Sequence, residues 1–459
     1  MAENTRENKM GTMPIGKLLA NMAGPVMISM LFQALYNIVD SVFVARLSQD
    51  AMNAVSLAFP LQTLCIAFAV GTGVGMNALL ARSLGEKNMQ AVDRAAGTGL
   101  FLTLCTAAVF AVLGFSLATP FFRFQTENAQ IIAYGSDYVM ICIGGSLGLF
   151  LQIYGERLLQ STGRTDLSMI SQIAGAVCNI ILDPIFIFPC GWGMMGAAVA
   201  TVIGQILSAV LAAAYLLHMK AVRLQRGSFR LRGELLRAFL PLGMTSFLSQ
   251  ISIVFSMAAV LNMCRKYGAL DPVFGQAQYA QIPTAVVGIV MKFFQIVISI
   301  AIGLSAGCIP VVGYNIGAER RDRARALLHR LLLAEAVVGL VATALFESCP
   351  GVFADLFGAK NESAYYTDFA VRCIRWFLGA AALSCVNKGA MIYLQALGKA
   401  WTSTALSLLR EIVLGVGLVL LLPVWFGLDG VLYFMAAADA VTFIVTVPVL
   451  VRTDRALRG

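Results

Sequence analysis

Apolar runs of about 20 or more residues recur along the whole chain, each long enough to cross a hydrocarbon core about 30 Å thick. Lipid offers no hydrogen-bond partners, so a segment that crosses it as a helix satisfies its backbone internally. The expected fold is therefore an all-α polytopic membrane protein. A composition of 59% hydrophobic and 12% charged residues, with a mean hydropathy of +0.80, excludes a water-soluble globule of 459 residues.

Twelve spans follow: residues 18–46, 54–80, 96–119, 134–156, 167–188, 194–218, 236–263, 279–309, 326–347, 368–397, 402–426 and 430–451. An even number puts both termini on one side. Of the Lys and Arg residues, 23 fall in the termini and the connections on that side, among them Arg82, Arg157, Arg164 and Lys399, against 7 on the other. The positive-inside rule then predicts cytoplasmic termini in the plasma membrane. Three more cations, Lys292, Lys388 and Arg410, stay inside spans. The net charge of +9 is thus a topology signal, and a nucleic-acid partner is excluded. Residues 1–17 are polar and no cleavage pattern follows them, so no removable signal peptide is expected. The ten Cys form no CxxC pair, and His218 and His329 stand at no zinc spacing. Disulfides, structural metals and cofactors are not expected, and the chain is read as a monomer in the lipid bilayer.

The longest basic connection follows the sixth span, where a linker between two halves would lie. The expected organisation is a cytoplasmic segment 1–17, an N-terminal six-helix lobe 18–218, a basic linker 219–235, a C-terminal six-helix lobe 236–451 and a tail 452–459. The halves also match internally. Gly71, Gly73 and Gly75 before Leu84 and Gly85 recur as Gly303 and Gly307 before Ile316 and Gly317. Gln160, Gly163 and Arg164 recur as Gln395, Gly398 and Lys399, and Pro25 and Pro241 each open the first span of a half. Six spans separate the copies, so both have the same orientation: a parallel repeat about an axis along the membrane normal, with a path between the lobes. The glycines are read as close helix packing, and with no strand before them a dinucleotide motif is excluded.

The fifth span carries Asn179, Asp183 and Pro184. Asp in the middle of a lipid-embedded helix costs about 2.5–3.5 kcal/mol and ordinarily faces protein or a wet cavity. Asn179 lies one turn before Asp183 on the same face. Pro184 lacks an N–H, which frees the Ile180 carbonyl and bends the helix beside the acid. Amide, acid and carbonyl suit a small cation; a buried Asp that pins a kink is the other reading. The first span adds Gln33, Tyr36, Asn37 and Asp40 as one polar stripe. Span counting puts Asp40 and Asp183 at a common depth, roughly 8–9 Å from the outer surface, with Thr201 of the sixth span near it. This agreement favours a functional site.

The second half does not repeat it: Ser256 aligns with Asp40 and Leu418 with Asp183. The C-terminal lobe instead places Glu335, Lys388, Arg410 and Glu411 at one level, roughly 13 Å from a cytoplasmic end, read as a charge-neutralising structural network. Asp439 and Lys292 have no assigned partner.

These residues together resemble the multidrug and toxic compound extrusion (MATE) family of secondary transporters, prokaryotic members most closely. The resemblance covers essentially the whole chain. It rests on Gly24 and Pro25, on the run from Tyr36 through Asp40, on the glycines from Gly71 to Gly85, on Gly163 and Arg164 with Asn179 to Pro184, on Gly196 to Thr201, and on Pro310 to Gly317. It implies a twelve-helix, V-shaped antiporter that exports amphipathic, often cationic organic compounds in exchange for H⁺ or Na⁺. Asp40, Asn179, Asp183 and Thr201 would be the cation-coupling constellation, with Na⁺ possible at the first three. The seventh span offers only Ser249, Gln250, Ser252 and Ser256, and the tenth Asn387 and Lys388, so a second Na⁺ site built on acids of those helices is not expected. A flippase for lipid-linked saccharides is the alternative, and it would need more cavity cations than Lys292, Lys388 and Arg410 for a pyrophosphate. An enzyme is not expected, since no span pairs a nucleophile with a base or offers HExxH.

Overall fold

The computed structural model describes residues 8–219, 233–356 and 363–458. A short α1 (Lys9–Thr12) precedes the first-half helices α2 (Ile15–Leu47), α3 (Gln49–Gly85), α4 (Met89–Gln125), α5 (Ala129–Gly144), α6 (Leu147–Ser161), α7 (Thr165–Ile187) and α8 (Gly193–Met219). The second half holds α9 (Gly233–Leu270), α10 (Ile282–Gly317), α11 (Arg321–Ser348), the short α12 (Pro350–Leu356), α13 (Ala364–Leu378) and α14 (Ala381–Ala396). Then α15 (Ala400–Leu408) runs through a π-helical stretch, Leu409–Val416, into α16 (Gly417–Phe426), and α17 (Leu428–Arg458) ends the chain. Among the described residues eleven helical stretches are long and apolar enough to span, and the α5–α6 pair, bent by 43°, is a twelfth when counted as one span.

Several helices outrun their apolar cores. Helix α10 ends at Gly317 rather than near 309, and α4 begins at Met89 rather than near 96. Hydropathy marks where lipid ends, whereas a helix ends where its last amides find other partners. The Asn88 side chain, for example, accepts from Ala91 N at 3.0 Å and holds the polar first turn of α4. By the same logic α17 continues through residues 452–458. Most of the basic linker, residues 220–232, lies outside the described residues, as do Arg6 and Lys360.

Two lobes pack side by side, and their cores show how. The first lobe has its own core around Val44, Phe110, Phe122 and Phe150. The second has another around Phe274, Phe369, Phe377 and Phe434. A third is shared: Leu18, Met22 and Val26 of α2 and Val74 and Ala78 of α3 pack with Leu304, Val311 and Tyr314 of α10. That shared core lies at the end where α3 and α10 finish, which also carries Lys9, Arg82, Arg164, Arg320 and Lys399 and is called here the basic end. The molecule is joined there and divided at the other end, a V.

The repeated glycines form the joint. A Cβ on Gly75 would lie 2.7 Å from Phe239 O, one on Gly303 2.6 Å from Met27 Cα and one on Gly307 2.5 Å from Ala23 Cα. At the tip of the V a Cβ on Gly85 would lie 2.0 Å from Tyr314 O, and one on Gly317 2.1 Å from Arg82 O. Only glycine permits backbones this close. Across the joint lies the segment of residues 8–13. Asn8 donates to Thr162 O (3.3 Å) and Lys9 to Asn21 Oδ1 (2.6 Å) on the first lobe. From the second lobe, Asn315 donates to Met10 O (3.0 Å), Arg320 to Gly11 O (2.7 Å) and Arg323 to Met13 O (2.6 Å).

Candidate functional site

Small residues set the geometry of the first lobe. A Cβ on Gly175 of α7 would lie 2.5 Å from Gly204 O of α8. This contact brings residues one turn farther along, Asn179 and Thr201, face to face. Asn179 Nδ2 donates to Asp183 Oδ1 and to Thr201 Oγ1, both at 3.3 Å, and Thr201 Oγ1 donates to Ala197 O at 3.0 Å. Asp183 is fully buried. Asp40, on α2, meets it carboxyl to carboxyl at hydrogen-bonding range. Two carboxylates approach so closely only with a proton or another cation between them. Three buried oxygens of the cluster, Asp40 Oδ1, Asp183 Oδ2 and Asn179 Oδ1, accept from no donor of the described protein. The helix α7 runs unbroken through Pro184, which leaves the Ile180 carbonyl without its helical N–H beside them. The donor set is oxygen only, with a carboxyl pair, and fits H⁺ or a hard monovalent cation.

The first-span stripe is brought in for three of its four members. Gln33 Oε1 accepts from Gln172 Nε2 of α7 at 3.2 Å, Asp40 joins Asp183, and Tyr36 lies within electrostatic reach of Asp40, Asp183 and Glu156. Asn37 sits at the edge of the stripe and is exposed. Sequence reasoning missed the amides and acid around them. Gln172 lies seven residues before Asn179 on the same helical face, a spacing that could have revealed it. Span counting places Glu156 at the end of a span and Arg157 in a connection. The helix α6 continues to Ser161, and both are buried, at 6% and 7% exposure.

In the second lobe Lys388, Arg410, Glu411 and Asp439 form one group of ion pairs. Arg410 grips Asp439 with Nε to Oδ1 at 2.9 Å and Nη2 to Oδ2 at 3.1 Å, and its Nη1 donates to Glu411 Oε1 at 2.8 Å. Lys388 Nζ reaches the same Glu411 oxygen at 3.3 Å, while Ser384 and Asn387 donate to Asp439. Glu335 is not part of this network: Ser305 of α10 donates to its Oε1 at 2.5 Å. Equal depth on different helices does not fix which way each side chain turns, and Asp439 takes the place given to Glu335. Aligned through Gln160 and Gln395, Arg410 stands where the first lobe has Gly175. A guanidinium cannot enter so close a helix contact, and the wider π turn at Leu409–Val416 makes room for it.

Comparison with known proteins gives the same picture. The profile of the MatE family matches residues 25–185 and 273–421. The FAD transporter of Shewanella oneidensis is 26% identical over 69% of this chain and 68% of its own length. The multidrug export protein MepA of Staphylococcus aureus is 22% identical over 93% of this chain and 91% of its own. A solved outward-facing multidrug resistance MATE family transporter superposes with a TM-score of 0.91 at 23% identity, over 99% of both chains. A profile that covers both lobes, on a twelve-span helical V, decides the matter: the chain belongs to the MatE family and is a multi-pass membrane transporter of the multidrug and toxic compound extrusion type, not an enzyme.

Proposed function

We propose that the protein exports amphipathic, cationic organic compounds in exchange for a cation, H⁺ or Na⁺, taken up at Asp40 and Asp183. The observation that carries this reading is the carboxyl pair, with its undonated oxygens, inside one lobe of a V. Asn179, which also donates to Thr201, holds Asp183 in place, and the carbonyl freed by Pro184 completes the oxygen set. Uptake of a cation cancels the repulsion between the two acids and removes a negative field from the lobe interior, which lowers affinity for a positively charged compound. Loading and release thereby exclude each other across alternating access. The basic end is taken as cytoplasmic, in keeping with the distribution of Lys and Arg.

A relative named for FAD raises an anionic substrate as a second reading. A pyrophosphate would need several unpaired cations, yet of the three inside spans Lys388 and Arg410 are already neutralised by Glu411 and Asp439, which leaves Lys292. The same count disfavours a lipid-linked saccharide. The test is uptake of ethidium into inside-out vesicles, driven first by a pH gradient without Na⁺ and then by a Na⁺ gradient without a pH difference. Asp40→Asn and Asp183→Asn should each abolish ion-driven uptake and leave the protein folded. Full uptake by either variant under both gradients would refute the proposal.

A further inference from the structure

One buried acid of the second lobe stands outside both the exchange just described and the ion pairs of Lys388, Arg410, Glu411 and Asp439. Glu335 of α11 is wholly buried; Ser305 of α10 donates to its Oε1 at 2.5 Å, and no donor among the described residues reaches Oε2. The ionisable side chains within its reach are two buried thiols, Cys308 on α10 and Cys385 on α14. The charges on the other helices packed against α11 are spoken for or distant. Lys388 and Asp439 are taken by Glu411 and Arg410, Asp454 by Arg325 near the basic end, and Arg372 and Arg375 by Asp429 and Glu347 near the other, while Lys17 stands in the first turn of α2. A carboxylate here would have one hydrogen bond and no counter-charge, which costs far more than a neutral carboxyl in the same place.

The packing leaves no room for a metal ion instead. A Cβ on Gly389 of α14 would lie 2.8 Å from Glu335 Cγ, and one on Gly339, a turn along α11, 2.4 Å from Ala382 Cα. A hard metal cation gathers several oxygens, and this contact offers one carboxyl and one hydroxyl. Ser305 also belongs to the joint. Gly303 and Gly307 press on α2, and Ser305, midway between them in the chain, projects from the opposite side of α10. The stretch of α10 that fastens the lobes is thus held between α2 and Glu335.

We infer that Glu335 is a second proton-binding site, which holds H⁺ while the basic end is joined and releases it to water when α10 shifts and that end parts. Whichever ion the Asp40–Asp183 pair takes, this site takes only the proton, and it lies in the other lobe. Its state sets how firmly the joint is closed.

Two measurements on the purified full-length protein test this. Glutamate isotopically labelled at its side-chain carboxyl separates the infrared band of protonated Glu from that of Asp, and Glu335→Gln should remove a component of that band at neutral pH. Spin labels at Gln90 and Arg321 then follow the joined-to-parted ratio across pH, in a background of Asp40→Asn with Asp183→Asn so that the pair does not titrate. The ratio should fall as pH rises, by up to about tenfold per unit, the limit for one proton. Glu335→Gln should remove this dependence and keep the basic end joined, which also reports that the lobe is folded. Ser305→Ala deletes the one donor that favours the charged form, so the transition should move to higher pH by roughly half a unit to one unit. An unchanged Glu band in Glu335→Gln would overturn the site, as would an undiminished pH dependence in that variant or a shift to lower pH in Ser305→Ala. None of these results bears on the exchange reading, which stands or falls with ion-driven uptake by Asp40→Asn and Asp183→Asn.

Discussion

The glycine joint makes a quantitative prediction. In Gly317→Ala the new methyl carbon would start 2.1 Å from Arg82 O and 3.0 Å from Arg82 C. The carbonyl cannot swing aside, because it accepts the helical bond from Glu86 N at 3.0 Å. Relief therefore requires α10 and α3 to part by roughly 1.5 Å at the basic end, since such contacts settle near 3.5–4.0 Å. Overpacking of this kind costs about 1–3 kcal/mol, and here it falls only on the state in which the basic end is joined. The equilibrium between joined and parted states should shift by about 5- to 150-fold towards parted. Gly85→Ala meets Tyr314 O, itself held by Ala318 N at 2.9 Å, so it should act in the same direction. The two together should fall short of additive, because the first separation makes room for the second. Spin labels at the exposed positions Gln90 and Arg321 would read the change as longer distances in pulsed electron resonance. Gly288→Ala is the control, since a Cβ there meets nothing within 4 Å on the same helix. An unchanged distance distribution in Gly317→Ala, or an equal shift in Gly288→Ala, would refute the reasoning.

Three further outcomes are expected. Arg410→Gln leaves Asp439 and Glu411 buried without their guanidinium and should destabilise the protein by about 3–5 kcal/mol, with partial recovery on adding Asp439→Asn, measured by thermal unfolding in detergent. Asp454, in the last turns of α17 beyond the apolar run, is held down to about 2 by its hydrogen bond from Arg325 and by the charges of Arg325, His329 and Arg458. Its contribution is present above the ordinary carboxylate value of about 3.9 and is lost as pH falls through about 2, so Asp454→Asn should flatten acid destabilisation in that window. Arg323→Ala removes the bonds to Met13 O and Asn315 Oδ1, and hydrogen exchange of residues 8–14 should rise while the rest of α2 stays protected.

Much of this molecule was legible in the sequence because a membrane enforces simple rules. Apolar length gave the spans, and the carboxyls of Asp40 and Asp183 face each other. Position along a helix is a sequence property; rotation about its axis depends on neighbours. Hence a common depth groups Glu335 with Lys388, Arg410 and Glu411, whereas the side chains that touch are those of Lys388, Arg410, Glu411 and Asp439. Arg157 was misread for a related reason. Counting cations near span ends treats each as a connection, and nothing local to Arg157 announces that α6 runs on and that Gly73 presses against its stem, a Cβ there lying 3.0 Å from Arg157 Cγ. The π turn was invisible too, since it answers to the bulk of Arg410 inside a contact that the other half makes with glycine.

The short segment before α2 carries one more implication. Apart from the buried Met10 side chain, what the second lobe grips there is main-chain oxygen, at Met10, Gly11 and Met13. Every amino acid presents that oxygen. The grip thus reads contour and spacing rather than identity: the exposed side chain of Thr12 can be exchanged freely, whereas inserting or removing a single residue between Asn8 and Pro14 throws the oxygens out of step with Asn315, Arg320 and Arg323 and unfastens the two halves.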